Sequence, residues 1–293
     1  MRYALTQAAL RVPWLRGMVA APPLLNPKAL ALFLGAAARG GDSAPRTVRE
    51  RDARDLISLL DSTRSDEGGW GYPFPWQSRY FWAPAGSMNA VVTATVGWLA
   101  FDAADRLSMP AARSLALHAC DQIAGRLHRS KVGSGVALSY TPGDQTRVVN
   151  ISALCARLLA RGESESPDHG SLAGSLMAFV HEAQRADGSW PYALDRGAEW
   201  EDSFHTGYVL EALLDVDRFG GPAPEESLDR GFAAYRRFFD EDGGPRLRAT
   251  AASPYDAHSA AQGILTYSAL AASRFDRLAE RERAGERAAW IAS

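Results

Sequence analysis

Apolar residues recur along this chain at i, i+3 and i+4, the spacing that lays a stripe along one side of a helix. Ser58 to Ser62, Ala90 to Ala104, Ala111 to Leu127, Val148 to Ala160, Leu172 to Ala183, Gly207 to Val216 and Ala260 to Ala272 all follow it. Strand-like alternation bounded by hairpin dipeptides is nearly absent. Glycine and proline gather between the periodic segments, in EGGWGYPFPW, YTPGDQ, DGSWPY, FGGPAPEE and EDGGPR. Helices interrupted this regularly predict a succession of helical hairpins.

The hairpins also repeat. TATVGWLA begins at Thr93, NISALCARLLA at Asn150, HTGYVLEALL at His205 and HSAAQGILTY at His258. A small residue follows two positions into each, at Thr95, Ser152, Gly207 and Ala260. Between the copies lie more charged segments such as EESLDRGFAAYRRFF. A helix that is apolar all round wants burial, whereas an amphipathic one keeps a wet face. Their alternation predicts an all-α protein: an α/α toroid of inner and outer helices, a six-hairpin, terpenoid-cyclase-like barrel. One domain is expected over residues 1–293, with 1–45 as a helical extension packed on the barrel. An open helical solenoid satisfies the same pattern. In a toroid the inner helices run the same way, so their N-termini, with unpaired N–H groups and partial positive charge, gather at one mouth.

That geometry would turn four separated loops into one site. WQSRYFWAPAGSMN offers Trp76, Gln77, Arg79, Tyr80 and Trp82, aromatic faces and hydrogen-bonding groups of the kind that hold a sugar ring. The same aromatics would serve equally as a plug over the barrel. YTPGDQTRVVN supplies Asp144, a candidate acid or a helix cap, and Arg147 and Asn150, expected one turn apart on the helix that follows. Asn150 falls in an apolar run and needs a partner or a ligand. DGSWPY contributes Tyr192, a candidate acid or a packing group. WEDSFHTGY carries Trp200, Asp202 as N-cap, and His205 in the first helical turn, a candidate general base. SPYDAHSAAQ repeats an aromatic, an acid and a histidine in Tyr255, Asp256 and His258. Shared ancestry of the repeats would account for that recurrence without chemistry.

Composition adds exclusions. Acidic residues number 34 and basic residues 32, a net charge of −2, with no basic patch for nucleic acid or membrane. Cys120 and Cys155 sit in apolar helical runs and read as buried free thiols. No metal-ligand spacing, phosphate loop, Rossmann fingerprint or serine elbow occurs, so neither metal nor cofactor is expected. The apolar stretch Ala29 to Ala38 is too short to span a bilayer, and Arg11, Pro13 and Arg16 interrupt the N-terminus. A cytoplasmic protein with a small-molecule or saccharide substrate is the expectation.

QRADGSWPY resembles the Gln-Trp repeat of squalene and hopene cyclases, in which the motif ties outer helices together. The Asp-x-Asp-Asp acid motif of class II terpene cyclases is missing. Together, GWGYPFPWQSR with VVTATVGWLA, YTPGDQTRVVNISALCARLLAR, QRADGSWPYA with WEDSFHTGYVLEALL, FFDEDGG with YDAHSAAQGI, and NPKALALFLGA resemble a bacterial family associated with surface-polysaccharide biosynthesis. Its members carry squalene-cyclase-like or prenyltransferase-like descriptions. The resemblance covers about residues 12 to 290 and implies an α/α toroid in a polysaccharide context. Trp200, His205 and Thr206 also resemble glucuronyl C5-epimerases, where a tryptophan and a His-Thr pair open an inner helix. The family's usual final aromatic loop and Trp-rich helix are not matched here, which implies an incomplete ring, closed by a partner or a second subunit. Three functions follow as expectations: a carbohydrate-active enzyme (epimerase, lyase or hydrolase), an isoprenoid-binding or cyclising enzyme, and a non-catalytic glycan-binding scaffold.

Overall fold

The computed structural model describes residues 12, 23–40, 44–77, 82–240, 243–250 and 254–292. Its helices are α1 (Pro27–Arg39), α2 (Arg46–Ser62), α3 (Ala90–Leu107), α4 (Pro110–Arg126), α5 (Val149–Arg161), α6 (Pro167–Glu182), α7 (Ser203–Arg218), α8 (Glu225–Tyr235), α9 (Ala257–Ala271), α10 (Asp276–Glu282) and α11 (Ala284–Ala292). Two small antiparallel hairpins join them. β1 (Trp76–Gln77) pairs with β2 (Trp82–Ala83), and β3 (Arg129–Val132) pairs with β4 (Gly135–Leu138). The second hairpin was not anticipated, because Lys131, Gly133 and Ser134 lack the apolar alternation that marks strands.

Burial separates the helices into two layers. α3 is buried from Ala90 to Ala104 except at Thr95, and α5 at nearly every position from Val149 to Ala160. α2, by contrast, buries Ala53, Ile57 and Leu60, a single stripe. The inner helices pack in chain order, α1 on α3, α3 on α5, α5 on α7 and α7 on α9, while α2, α4, α6, α8 and α11 cover them outside. This is an α/α toroid. The stretch Pro27–Arg39 lies in the inner layer, lending Lys28, Leu32 and Arg39 to the central hollow. It is therefore a stave of the ring and not part of an extension packed on it. Residues 1–11 and 13–22 of the expected extension lie outside the described residues.

Local signals account for the helix starts. Asn26, Asn89, Asp202 and Asp256 cap α1, α3, α7 and α9 with side-chain oxygens on backbone N–H groups. Proline occupies the first turn of α1, α4 and α6. Gly207 lets α7 approach α9, since a Cβ there would press on Gln262, Thr266 and Tyr235.

The glycine-aromatic loops fasten the outer layer. The buried Trp190 indole donates from Nε1 to the Val180 carbonyl at 2.9 Å, closing the end of α6. Gln184 donates to the carbonyls of Gly188 (3.1 Å) and Ser227 (2.9 Å), and its own oxygen accepts from Ser227 Oγ at 2.8 Å. The loop after α6 is thereby bound to α8, the tying role the Gln-Trp resemblance implies. Trp70 does the same after α2, with Nε1 on the Leu60 carbonyl at 2.7 Å.

Candidate active site

The inner helices run parallel, as the hollow between them records. Lys28, Val91 and His258, from the first turns of their helices, and Tyr208, from the second turn of α7, line one end, while Arg39, Trp98 and Arg157 line the other. The hollow measures about 330 Å³, and its wall also includes Ala94, Thr95, Leu154, Glu211, Gln262 and Leu265. Other depressions, near Trp290 and near Phe219, are open surface grooves lined by neither His205 nor His258.

The far end is closed by charge. Arg157 is buried and bonds Glu211 at 3.2 Å and Asp215 at 3.1 Å, and its guanidinium lies 4.0 Å from the centre of the Trp98 ring. Arg161 and Arg39 both hold Asp102, at 2.9 and 2.7 Å. Burial raises Asp215 to about 6, against the pull of Arg157.

Around the mouth the structure joins residues 53 positions apart. Asp202 caps α7 through Oδ1 on the His205 backbone N–H (2.9 Å), and its Oδ2 accepts from His205 Nδ1 at 2.7 Å. A carboxylate on Nδ1 assigns the proton of neutral imidazole to that nitrogen and leaves Nε2 with the lone pair. His258 Nε2 accepts from the Tyr208 hydroxyl at 2.8 Å. Burial pushes the Tyr208 hydroxyl up and keeps it a donor, while burial and then the Lys28 charge push His258 down and keep it neutral. Phe204 lies between the imidazoles, 4.1 Å from His205 and stacked on His258 at 4.2 Å. The two histidine-bearing segments thus meet at Phe204, with His258 on the wall of the hollow and His205 beside a smaller void behind it.

The other sequence candidates divide. Tyr192 stacks on Trp200 at 4.3 Å and 8°, and stands edge-on to His205 at 4.8 Å. Asn150 shares a water-sized void, about 10 Å³, with Tyr192, Asp202 and His205, and its buried Oδ1 has no hydrogen-bond donor among the described residues. These residues form one cluster with His205. Trp76 packs against Tyr72, 5.2 Å away, and like Gln77 and Trp82 is exposed on the β1–β2 hairpin. Arg79 and Tyr80 lie outside the described residues.

Three expectations are corrected. Asp144 caps no helix. Its carboxylate accepts from the N–H groups of Tyr140, Thr141 and Thr146 and from both threonine hydroxyls, so the loop uses all of it. Arg147 precedes α5, which begins at Val149, and pairs with Asp195 through its backbone N–H and its guanidinium (2.6 and 3.1 Å), so it is not on one helical face with Asn150. The second aromatic-acid-histidine set is not a copy of the first. Asp256 caps α9 by accepting from Ser259 N–H and Oγ (2.7 and 2.8 Å), so Ser259 holds the place that His205 has on α7. His258 stands one residue earlier, turned to Tyr208. Tyr255 is turned outward and donates to Asp240 at 2.6 Å, beneath Arg246.

Several site residues were missed. Tyr208 lies one turn below His205, on the same face, so helical spacing alone could have found it. Arg157 and Glu211 are charges inside apolar inner helices, an equally available signal. Tyr72 and Tyr140, whose hydroxyls bond one another, needed the tertiary structure.

The fold and site thus define an α/α toroid with two imidazoles packed on Phe204 at the starts of α7 and α9. No family model and no curated protein matches the chain. Solved structures do. An unsaturated glucuronyl hydrolase specific for heparin is 10% identical, with a TM-score of 0.64 over 90% of this chain and 71% of that one. The GH76 α-mannanase of Bacteroides thetaiotaomicron is 11% identical, with a TM-score of 0.63 over 90% and 73%. Cellobiose 2-epimerase of Spirochaeta thermophila is 13% identical, with a TM-score of 0.61 over 91% and 70%. At such identities the likeness establishes the fold. Among the described residues no helix is long and apolar enough to cross a membrane, and no group of three or more acidic, histidine or cysteine side chains is placed to hold a metal ion.

Proposed function

We propose that this protein is a carbohydrate-active enzyme that moves a proton at a sugar carbon, by epimerase-type or lyase-type chemistry, within surface-polysaccharide biosynthesis. The observation that carries the reading is the pair of imidazoles packed on Phe204, one aligned by a carboxylate and one bonded to a tyrosine hydroxyl. His205, aligned by Asp202, is the general base through Nε2. Tyr208, oriented by its hydrogen bond to His258, is the proton donor on the other side. Tyr192 and Trp200 form the aromatic platform beside which a sugar ring rests, and Asn150 offers an acceptor for a hydroxyl. The low-identity structural neighbours that act on saccharides, and the sequence resemblance to a polysaccharide-associated family, support this reading.

Incubation in D2O with a panel of neutral and uronic-acid oligosaccharides tests it. Deuterium entering one sugar carbon, with an epimer or an unsaturated product, is expected, and His205→Ala should abolish it. Release of reducing ends without deuterium uptake would make the enzyme a hydrolase. The absence of any chemical change would sink the reading.

A second reading, an isoprenoid-binding or cyclising enzyme, draws on the apolar wall of Val91, Ala94, Leu154 and Leu265. Native mass spectrometry finding a prenyl chain on the purified protein would favour it.

A further inference from the structure

We propose that Lys28 binds the anionic group, carboxylate or phosphate, of an acidic sugar held in the hollow. The inference rests on the carbohydrate reading above and names the substrate class within it. Lys28 stands in the first turn of α1, where the cap bond from its own N–H to Asn26 Oδ1 is 3.0 Å. It lines the hollow together with Tyr208 and His258.

A lysine is unfavourable there for two reasons. Burial disfavours its charge and lowers its pKa. The positive end of the helix dipole disfavours it as well. Elsewhere around the hollow the cations are neutralised. Arg39 has Asp102, and Arg157 has Glu211 and Asp215. The acids near the mouth are engaged too. Glu211 is held by Arg157 and by Gln262 (2.9 Å), Asp202 by His205, and Asp256 by Ser259. Among the described residues no carboxylate lies within ion-pair distance of Lys28.

The mouth therefore combines an uncompensated ammonium with the converging first turns of α1, α7 and α9. Its charge is sensed at His258, which it pushes down. An anion entering there would relieve both costs at once and gain a charge-assisted hydrogen bond. The hollow, at about 330 Å³, falls in the range of sites that enclose small ligands, about 300–1,000 Å³. A sugar bearing one negative group fits this arrangement better than a neutral one.

The test is direct binding by calorimetry, with methyl β-D-glucuronoside, α-D-glucose 1-phosphate and methyl β-D-glucoside as probes. At least one anionic probe is expected to bind about tenfold or more tighter than the neutral glucoside. Which of the two wins identifies the anion as carboxylate or phosphate. Lys28→Met should erase the preference and Lys28→Arg should keep it. Lys28→Met should also melt no lower than the wild type, since it removes a half-buried charge that no carboxylate among the described residues offsets. Anionic probes that bind no better than the glucoside would overturn the proposal. So would a Lys28→Met protein that keeps the preference or loses stability. Binding is read without turnover, so these outcomes are separate from loss of the proton-transfer chemistry, which His205→Ala reports.

Discussion

Asp202 performs two tasks with one carboxylate, and substituting asparagine separates them. Oδ1 caps α7 and Oδ2 holds His205 Nδ1. Asparagine caps as well as aspartate, so Asp202→Asn should change the melting temperature by no more than about 1 °C. Asp202→Ala loses the cap and leaves a buried N–H unpaired, at a cost of about 1–2 kcal/mol. That corresponds to a drop of roughly 2–8 °C for a domain of this size. The effect on His205 is the reverse. In Asp202→Asn the amide N–H group faces Nδ1, which must then offer its lone pair, so the proton moves to Nε2. A base needing Nε2 free is disabled, and proton-transfer activity should fall by about 10² to 10⁴. Nitrogen-15 spectra of the imidazoles check the tautomer without a substrate. In the wild type the His205 proton should reside on Nδ1, and in Asp202→Asn on Nε2. A wild-type His205 protonated on Nε2 at neutral pH, or an Asp202→Asn protein with unchanged spectra, would refute the assignment.

Further consequences follow from the packing. Trp190→Ala removes a buried indole and its bond to Val180, and chemical denaturation should register a loss of about 3–5 kcal/mol. Gly188 has φ +84°, and a Cβ there would run into the Arg230 carbonyl, so Gly188→Ala should cost more than about 1 kcal/mol and loosen α8, seen as faster amide exchange in that helix. Asp215 titrates near 6 in the fold against an ordinary value of 3.8. The folded state therefore holds the proton more tightly, and this group's contribution to stability falls as pH rises from about 4 to 6. Asp215→Asn should remove that component from the pH profile of the unfolding free energy. Burial raises the thiols of Cys120 to about 12 and of Cys155 higher still, so neither should react with a thiol reagent at neutral pH until denaturant is added.

Much of the ring was legible because its causes are local. The apolar runs of α3, α5, α7 and α9 and the stripes of the outer helices follow from residue order, as do the caps at Asp202 and Asp256. Trp190 and Gln184 fasten the outer layer in the way their motif implies. Pro27–Arg39 was harder to place, because its apolar run looks the same whether it lies on a barrel or inside one. Only its contacts with α3 and the hollow decide the matter.

The candidate site was legible in part, and the errors share a cause. The position of His205 three residues after its cap could be read directly. Asp144 and Arg147 fit the chemistry sought, but other groups claim them: five local donors surround Asp144, and Asp195, on a distant loop, holds Arg147. Aligning His258 with His205 put the repeats one residue out of step, because the cap of α9 fixes Ser259 rather than His258 at the equivalent position.

Residue order by itself determined the helical periods, the breaks between them and the two-layer alternation. These depend on backbone propensity and on which faces shun water, quantities carried within each segment. Tertiary structure alone decided which polar groups pair. It set Tyr208 on His258, left Asn150 without a donor and Lys28 without an acid among the described residues, and gave Arg157 two. A side chain's partner depends on distances across the ring, which no single helix encodes.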